Sequence, residues 1–185
     1  MKINNCDNII INNMDGLEEK DINRKRNKVR AVIINKDKKI LICRNNGVFL
    51  LPGGKLKNNE DKIKGLYREL QEETGNDYSS FEISYLYTLI DYQKNYIDRN
   101  NNMFNRKIKT YYYIIYSDTD INYDNRNLTE SEKNDFEYYY VDESSLESLI
   151  DENTQNPRKK YFDNELKIII DILIKNNLSI NKRGC

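Results

Sequence analysis

Apolar residues fall into two rhythms along this chain: runs of β-branched and aromatic residues that suit strands, and stretches of helical period. The first runs are Val29 to Asn35 (VRAVIIN) and Lys39 to Arg44 (KILICR), parted by Lys36-Asp37-Lys38, and they predict a β-hairpin. After Asn45-Asn46-Gly47 the run VFLL ends at Pro52-Gly53-Gly54, because proline removes a donor and glycine permits the positive φ of a tight turn. A helix is expected from Asp61 to Thr74, where Ile63, Leu66 and Leu70 recur at i, i+3 and i+7 and Gly75 caps the end.

Phe81 to Tyr92 and Lys107 to Ser117, rich in Tyr and Ile, read as a pair of strands. Gln93 to Arg106 between them reads first as a hairpin tip and second as a substrate loop presenting Tyr96, Phe104 or Arg106. A second polar loop, Asp118 to Asp135, precedes a short strand (Phe136 to Val141) and a short helix (Glu143 to Ile150). Past Asn156-Pro157, residues 160–176 form a C-terminal helix, roughly Tyr161 to Lys175, with Phe162, Leu166, Ile169, Ile170 and Leu173 on one face. That face is expected to pack on the sheet. Residues 1–27 read as a polar extension, in which NIIINN (Asn8 to Asn13) pairs as an edge strand and GLEEKDINRKRNK (Gly16 to Lys28) is a solvated approach.

The 185 residues suit a single domain, 1–185, able to stand without disulfides. Thirty basic side chains balance thirty acidic ones, so no global field points to nucleic acid or an anionic membrane, and phosphate binding must be local. Cys6, Cys43 and Cys185 are odd in number and far apart, as for reduced thiols in the cytoplasm. No apolar run reaches signal-peptide or membrane-spanning length. Histidine is absent, which excludes Ser-His-Asp and Cys-His catalysis and any imidazole ligand for zinc.

The candidate chemistry lies in the expected helix. Glu69, Glu72 and Glu73 stand at i, i+3 and i+4, so their Cβ atoms project from one side within about 6 Å of each other. Such like-charge neighbours cost a few tenths of a kcal/mol each and need a cation nearby. One reading is a solvated acidic face relieved by Arg68, Lys62 and Lys64. The other is a metal cluster, favoured by Gly65, one turn before Glu69, which leaves space beside the carboxylates at a helix-propensity cost of about 1 kcal/mol relative to alanine. Carboxylates without His or Cys select hard cations, so Mg²⁺, or Mn²⁺ as a substitute, is the expected cofactor, and metal-assisted hydrolysis of a diphosphate is its natural chemistry.

Gly54, Glu60, Arg68, Glu69, Leu70, Glu72, Glu73 and Gly75 stand at the separations of the pattern G-x5-E-x7-R-E-U-x-E-E-x-G-U, where U is bulky and aliphatic. The stretch resembles the Nudix box. The resemblance implies an α+β fold, an αβα sandwich with a central mixed sheet, in agreement with the element order above. It implies that Glu72 and Glu73 ligate metal with help from Glu69, that the Gly54 carbonyl completes the coordination, that Arg68 holds the glutamates by ion pairing, and that Glu60 supports. The family's general base varies between a glutamate of the box and one in a later loop, where Glu130 and Glu132 are the weaker candidates. Asn76 departs from the pattern, standing where an aliphatic residue is wanted.

The leading expectation is a Mg²⁺-dependent hydrolase of the pyrophosphate bond in a nucleoside diphosphate linked to another moiety. The alternative is a Nudix-type module that senses a nucleotide or a protein without turnover. A third reading is an interaction protein using its C-terminal helix. The expected partner is a small-molecule nucleotide, with Arg44, Tyr96, Phe104 and Arg106 as candidate contacts, and homodimerisation is left open.

Overall fold

The protein is described from a computed structural model, over residues 2–4, 8–45, 47–98, 100–129, 136–154, 166–169 and 171–172. The fold is built around β3 (Arg24–Ile34), in which every residue from Val29 to Ile34 is buried. A run apolar on both sides of its pleat suits a strand covered on both faces. β7 (Met103–Tyr116) lies parallel to it, in register from Arg24 opposite Arg106 to Ile34 opposite Tyr116. β6 (Ile83–Ile97) runs antiparallel to β7, β2 (Ile9–Asn12) parallel to β6, and β1 (Lys2–Asn4) closes that side.

A hairpin leads from β3 into β4 (Ile40–Asn45), which pairs antiparallel with both β5 (Val48–Leu50) and β8 (Glu137–Val141). Residues 52–56 also run antiparallel to β3. The Val29 N–H donates to the Gly54 carbonyl (3.0 Å), the Ala31 N–H to Pro52 (2.9 Å) and the Leu56 N–H to Asn27 (3.0 Å). The result is a mixed sheet of the α+β class.

Alternation along β3 sends its side chains into two cores. Val29, Ala31 and Ile33 meet Leu66 and Leu70 of α1 (Lys62–Thr74). Val32 and Ile34 meet Leu146 of α2 (Leu146–Thr154), together with Leu166, Ile168 and Ile169 from a further helical segment. Each fully buried leucine contributes about 1.5–3 kcal/mol. Asp61 caps α1 by accepting the N–H groups of Ile63 and Lys64, both at 3.0 Å, and Gly75 ends it at φ 73°.

Three expectations change. Arg24 to Lys28 belong to β3 rather than to an approach segment, because the backbone of β7 satisfies theirs, while Arg24, Lys25 and Asn27 are exposed as expected. Residues 93–97 and 103–106 lie within β6 and β7, and the tip narrows to residues around Asp98, whose carboxylate accepts the N–H groups of Asn100 and Asn102 (2.9 Å each). β2 is not the edge, because β1 lies outside it. As expected for the C-terminal helix, Leu166 and Ile169 pack in the chain's own core against the sheet, so they are not free for a partner. Asn156, Pro157, Tyr161, Phe162, Ile170, Leu173 and Lys175 fall outside the described residues.

Gly53 carries a steric prediction. At φ 123° an added Cβ would overlap the Val29 carbonyl oxygen and stand 3.0 Å from Arg30 Cα, both backbone atoms, whereas Gly16 (φ 64°) has nothing within 4 Å. In urea unfolding, Gly53→Ala is expected to lose about 2–4 kcal/mol and Gly16→Ala about 1 kcal/mol.

Candidate active site

The turn from Pro52 to Leu56 is wedged between β3 and α1, and glycines allow the fit. On Gly54 a Cβ would overlap the Glu69 carboxylate, 2.5 Å from its Cδ, so that carboxylate rests directly on the glycine. The Gly53 N–H donates to Glu73 Oε2 at 2.7 Å. Arg30, buried within β3, donates from Nη1 to the carbonyls of Leu51 (2.7 Å) and Gly53, which ties the turn from below. Arg30 is not part of the sequence pattern. Its only signal is a charge inside an apolar strand, VRAVII.

Arg68 clamps the helix face. Its Nε meets Glu60 Oε1 at 2.8 Å and its Nη2 meets Glu60 Oε2 at 2.9 Å, a bidentate pair. Its Nη1 lies 2.9 Å from Glu69 Oε1 and 3.1 Å from Glu72 Oε2, so one nitrogen holds two glutamates together. Nη2 also reaches the Lys55 carbonyl at 3.2 Å and secures the loop before α1. Arg68 therefore pairs with Glu60, Glu69 and Glu72 at once. Lys62 is turned away, over the Tyr111 ring at 4.2 Å.

These contacts set the protonation of the carboxylates. The Arg68 hydrogen bonds hold Glu60 down at about 2, and Glu60 in turn raises the already high Arg68. Burial pushes Glu69 up, against the pull of Arg68, with Glu72 adding to the rise. Glu73 is 8% exposed. Among the described residues no three His, Cys, Asp or Glu side chains form a finished metal cage, because Glu73 turns to the Gly53 N–H while Glu69 and Glu72 turn to Arg68. Here the Gly53 amide and Arg68 supply the positive charge that a cation would bring. The donor set fits a hard divalent ion: every ligand atom is a carboxylate or carbonyl oxygen, Glu69 lies against a glycine, and the Gly54 carbonyl, accepting from Val29, keeps a second lone pair.

Gly65 is a correction. It leaves no gap beside the carboxylates, since a Cβ there would overlap Leu56 Cδ2 and lie 3.0 Å from Glu60 Oε2. The glycine exists so that Leu56 can pack on the helix. Asn76, the departure from the pattern, donates from Nδ2 to the Asp120 carbonyl at 2.7 Å. Around it, Asn122 N–H donates to the Thr74 carbonyl and Asn127 N–H to that of Glu72, both at 2.9 Å, so residues 118–129 cap the end of α1.

The remaining candidates lie elsewhere. Arg44 sits over Phe49 (5.6 Å) and faces Glu137 and Glu152, each at 3.8 Å, on the α2 side. Arg106 stacks on Tyr96 (3.2 Å) and donates from Nε to Gln93 (2.6 Å), while Tyr96 packs on Phe104 at 5.4 Å. Arg106 pairs with Arg24, and the five residues from there to Val29 span about 16 Å of β3 at about 3.3 Å each. The structure therefore does not bring Arg44, Tyr96, Phe104 or Arg106 to the glutamates. Glu130 and Glu132 lie outside the described residues.

The Glu60–Arg68 pair makes stability depend on acid. Glu60 is held at about 2 in the fold against an ordinary value near 4.5, so its contribution is complete above the higher value and is lost as pH falls toward the lower. The melting-temperature gap between the wild type and Glu60→Gln is expected to be widest near neutral pH and to narrow between about pH 5 and pH 2. A gap constant with pH would contradict the pairing.

Comparison with known proteins agrees with this geometry. The structure resembles a MutT protein from Methanosarcina mazei Go1, at 20% identity and a TM-score of 0.52 over 82% of this chain and 95% of that one. It also resembles the E. coli dihydroneopterin triphosphate pyrophosphohydrolase, at 9% identity and a TM-score of 0.50 over 78% and 94%. These likenesses are of fold. No curated protein matches the chain in sequence. The family model of the NUDIX domain matches residues 24–163, which contain β3, the glycine turn, α1 and α2, and the chain therefore belongs to the Nudix hydrolase family.

Proposed function

We propose that the protein is a Mg²⁺-dependent pyrophosphohydrolase that splits a nucleoside diphosphate linked to another moiety into a nucleoside monophosphate and a phosphorylated remainder. The observation that carries this reading is the convergence of Glu69 and Glu72 on one Arg68 nitrogen, beside a glycine turn that leaves no room for a side chain. Folding stability alone is not served by holding like charges together. Nudix hydrolases generally use a divalent metal. In this reading Glu69, Glu72 and Glu73 hold the ion, with the Gly54 carbonyl beside them. Such an ion supplies Lewis acidity toward phosphate oxygens and makes water more acidic.

The chain's own residues do the positioning. Arg68 holds the Glu69 and Glu72 carboxylates on one nitrogen, and Glu60 fixes Arg68. Arg30 and β3 hold the turn, so that Gly53 and Gly54 keep their distance from the glutamates. Cys43 is buried, and no helix among the described residues is long and apolar enough to cross a membrane. Cys6 and Cys185 lie outside the described residues.

One observation favours a second reading, a nucleotide-sensing module without turnover: all three carboxylates already have protein partners. Calorimetry separates the two, since tight ligand binding indifferent to metal, with no product formed, supports the sensor.

The direct test offers ADP-ribose, dinucleoside polyphosphates, nucleotide sugars and nucleoside triphosphates to the protein with Mg²⁺. Turnover is expected on at least one, and Glu72→Gln and Glu73→Gln are each expected to lower kcat by about a hundredfold or more. Absence of metal-dependent turnover on all of them, or full activity in both variants, would overturn the proposal.

A further inference from the structure

Beyond the glutamates, a row of one charge lies along the central strand. β3 and β7 are in unbroken register from Arg24 to Ile34, so alternation places Arg24, Arg26, Lys28 and Arg30 on one face, the face that continues as Val32 and Ile34 in the α2 core. The six steps from Arg24 to Arg30 span about 20 Å at about 3.3 Å each, which sets neighbouring cations about 7 Å apart. One end of the row is fixed in the candidate active site, where Arg30 donates to the carbonyls of Leu51 and Gly53. The other end is a platform of rings. Arg24 lies over Phe104 (4.2 Å), Arg106 over Tyr96 (3.2 Å), and the two rings pack at 5.4 Å.

Folding does not account for the row. Arg24 and Arg106 stand directly opposite each other on one face of the sheet, and like charges so placed destabilise it. Two acids offset part of the charge: Asp98, 3.7 Å from Arg24, and Asp91, which accepts from Asn12 (2.7 Å) and Gln93. Arg26 forms no hydrogen bond or ion pair with a described residue. Arg26 and Lys28 are half-buried and the Arg24 side chain is 45% exposed, so the row is open to an anion from outside.

Cations at this interval suit a chain that carries one phosphate at every step. An extended single-stranded oligonucleotide is such a chain, and its bases stack on aromatic rings and on arginine planes like those at the far end of the row. A dinucleoside polyphosphate instead crowds its phosphates between two nucleosides, and the outer cations would face sugars. The net charge of zero is no obstacle, because the row is local.

We infer that this face of β3 is a track for a single-stranded oligonucleotide. Its backbone runs along Arg24, Arg26 and Lys28, a base stacks at the platform of Arg24, Phe104 and Tyr96, and its phosphorylated 5′ end reaches the glycine turn. The inference rests on the hydrolase reading for what happens at that end, but not for the binding of the strand.

Fluorescence anisotropy with a 3′-labelled, 5′-monophosphorylated RNA of about six nucleotides, which has no pyrophosphate bond to split, tests the track without turnover. Between about 50 and 200 mM salt the wild type is expected to lose affinity steeply, and Arg24→Ala and Arg26→Ala are each expected to weaken binding about three- to tenfold and to flatten the salt slope by about 0.7. Phe104→Leu should weaken binding about fivefold or more with the slope unchanged, as for a lost stacking surface. Lys25→Ala, on the opposite face of the same strand and paired with Glu19 at 2.9 Å, should bind as the wild type does. A DNA strand of the same sequence shows which sugar is preferred, and binding of either supports the track. A wild type that binds neither strand would overturn the inference. So would Arg24→Ala and Arg26→Ala with unchanged affinity and slope, an equal loss in Lys25→Ala, or a dinucleoside tetraphosphate bound more tightly than the strand. Should Arg24→Ala fail to fold, Arg26→Ala carries the comparison. On a 5′-triphosphorylated strand, Arg26→Ala should raise KM by a larger factor than on ADP-ribose. Strand binding that depends on Arg26, with no hydrolysis of any substrate, supports the track and removes the hydrolase reading. Hydrolysis of ADP-ribose without strand binding does the reverse.

Discussion

The site depends on one steric constraint, the absence of clearance on either side of residues 52–56. Gly53 presses on the backbone of Val29 and Arg30, Gly54 on the Glu69 carboxylate, and on the helix side Gly65 receives Leu56. Three missing side chains let a single extended segment pair with β3 and also touch α1. Because the segment's hydrogen bonds to Val29, Ala31 and Asn27 hold it to a strand buried on both faces, the core's rigidity is passed to the glycine turn.

Electrostatics then completes what packing begins. Three carboxylates on one helix face repel, and burial makes the charge on Glu69 dearer still. Arg68 answers by holding two of them on a single nitrogen, while Glu60 neutralises Arg68 from the other side. Glu73 is treated differently, turned under the turn to the Gly53 amide. The result is a set of carboxylate oxygens kept close to one another by protein donors.

The polar segments have separate roles. Residues 118–129 fold back on the end of α1, through Asn76, Asn122 and Asn127, and bring the Arg126 backbone beside Gly75. The β6–β7 hairpin instead spends its aromatic and basic residues on one another, in the stack of Arg106, Tyr96 and Phe104. Of the two regions rich in candidate contacts for a nucleotide, only the first lies against the glutamates.

Much of the fold was legible in the chain, since periodicity, capping and turn chemistry are local: Asp61, the Leu66–Leu70 stripe and Gly75 mark α1, and Val29 to Ile34 mark the central strand. The fixed spacing of Gly54, Glu60, Arg68, Glu69, Glu72 and Glu73 likewise determined which side chains share a helix face. Tertiary structure alone decided the rest, because it depends on what lies across a gap. Gly65 faces Leu56, so it is a packing residue rather than an opening. The polar residues Arg24 to Lys28 become strand because β7 offers them backbone partners. Arg30 reaches the turn from a strand far from it in sequence. Local pattern sets the direction in which a side chain leaves its element, while only the packing of elements sets what it meets.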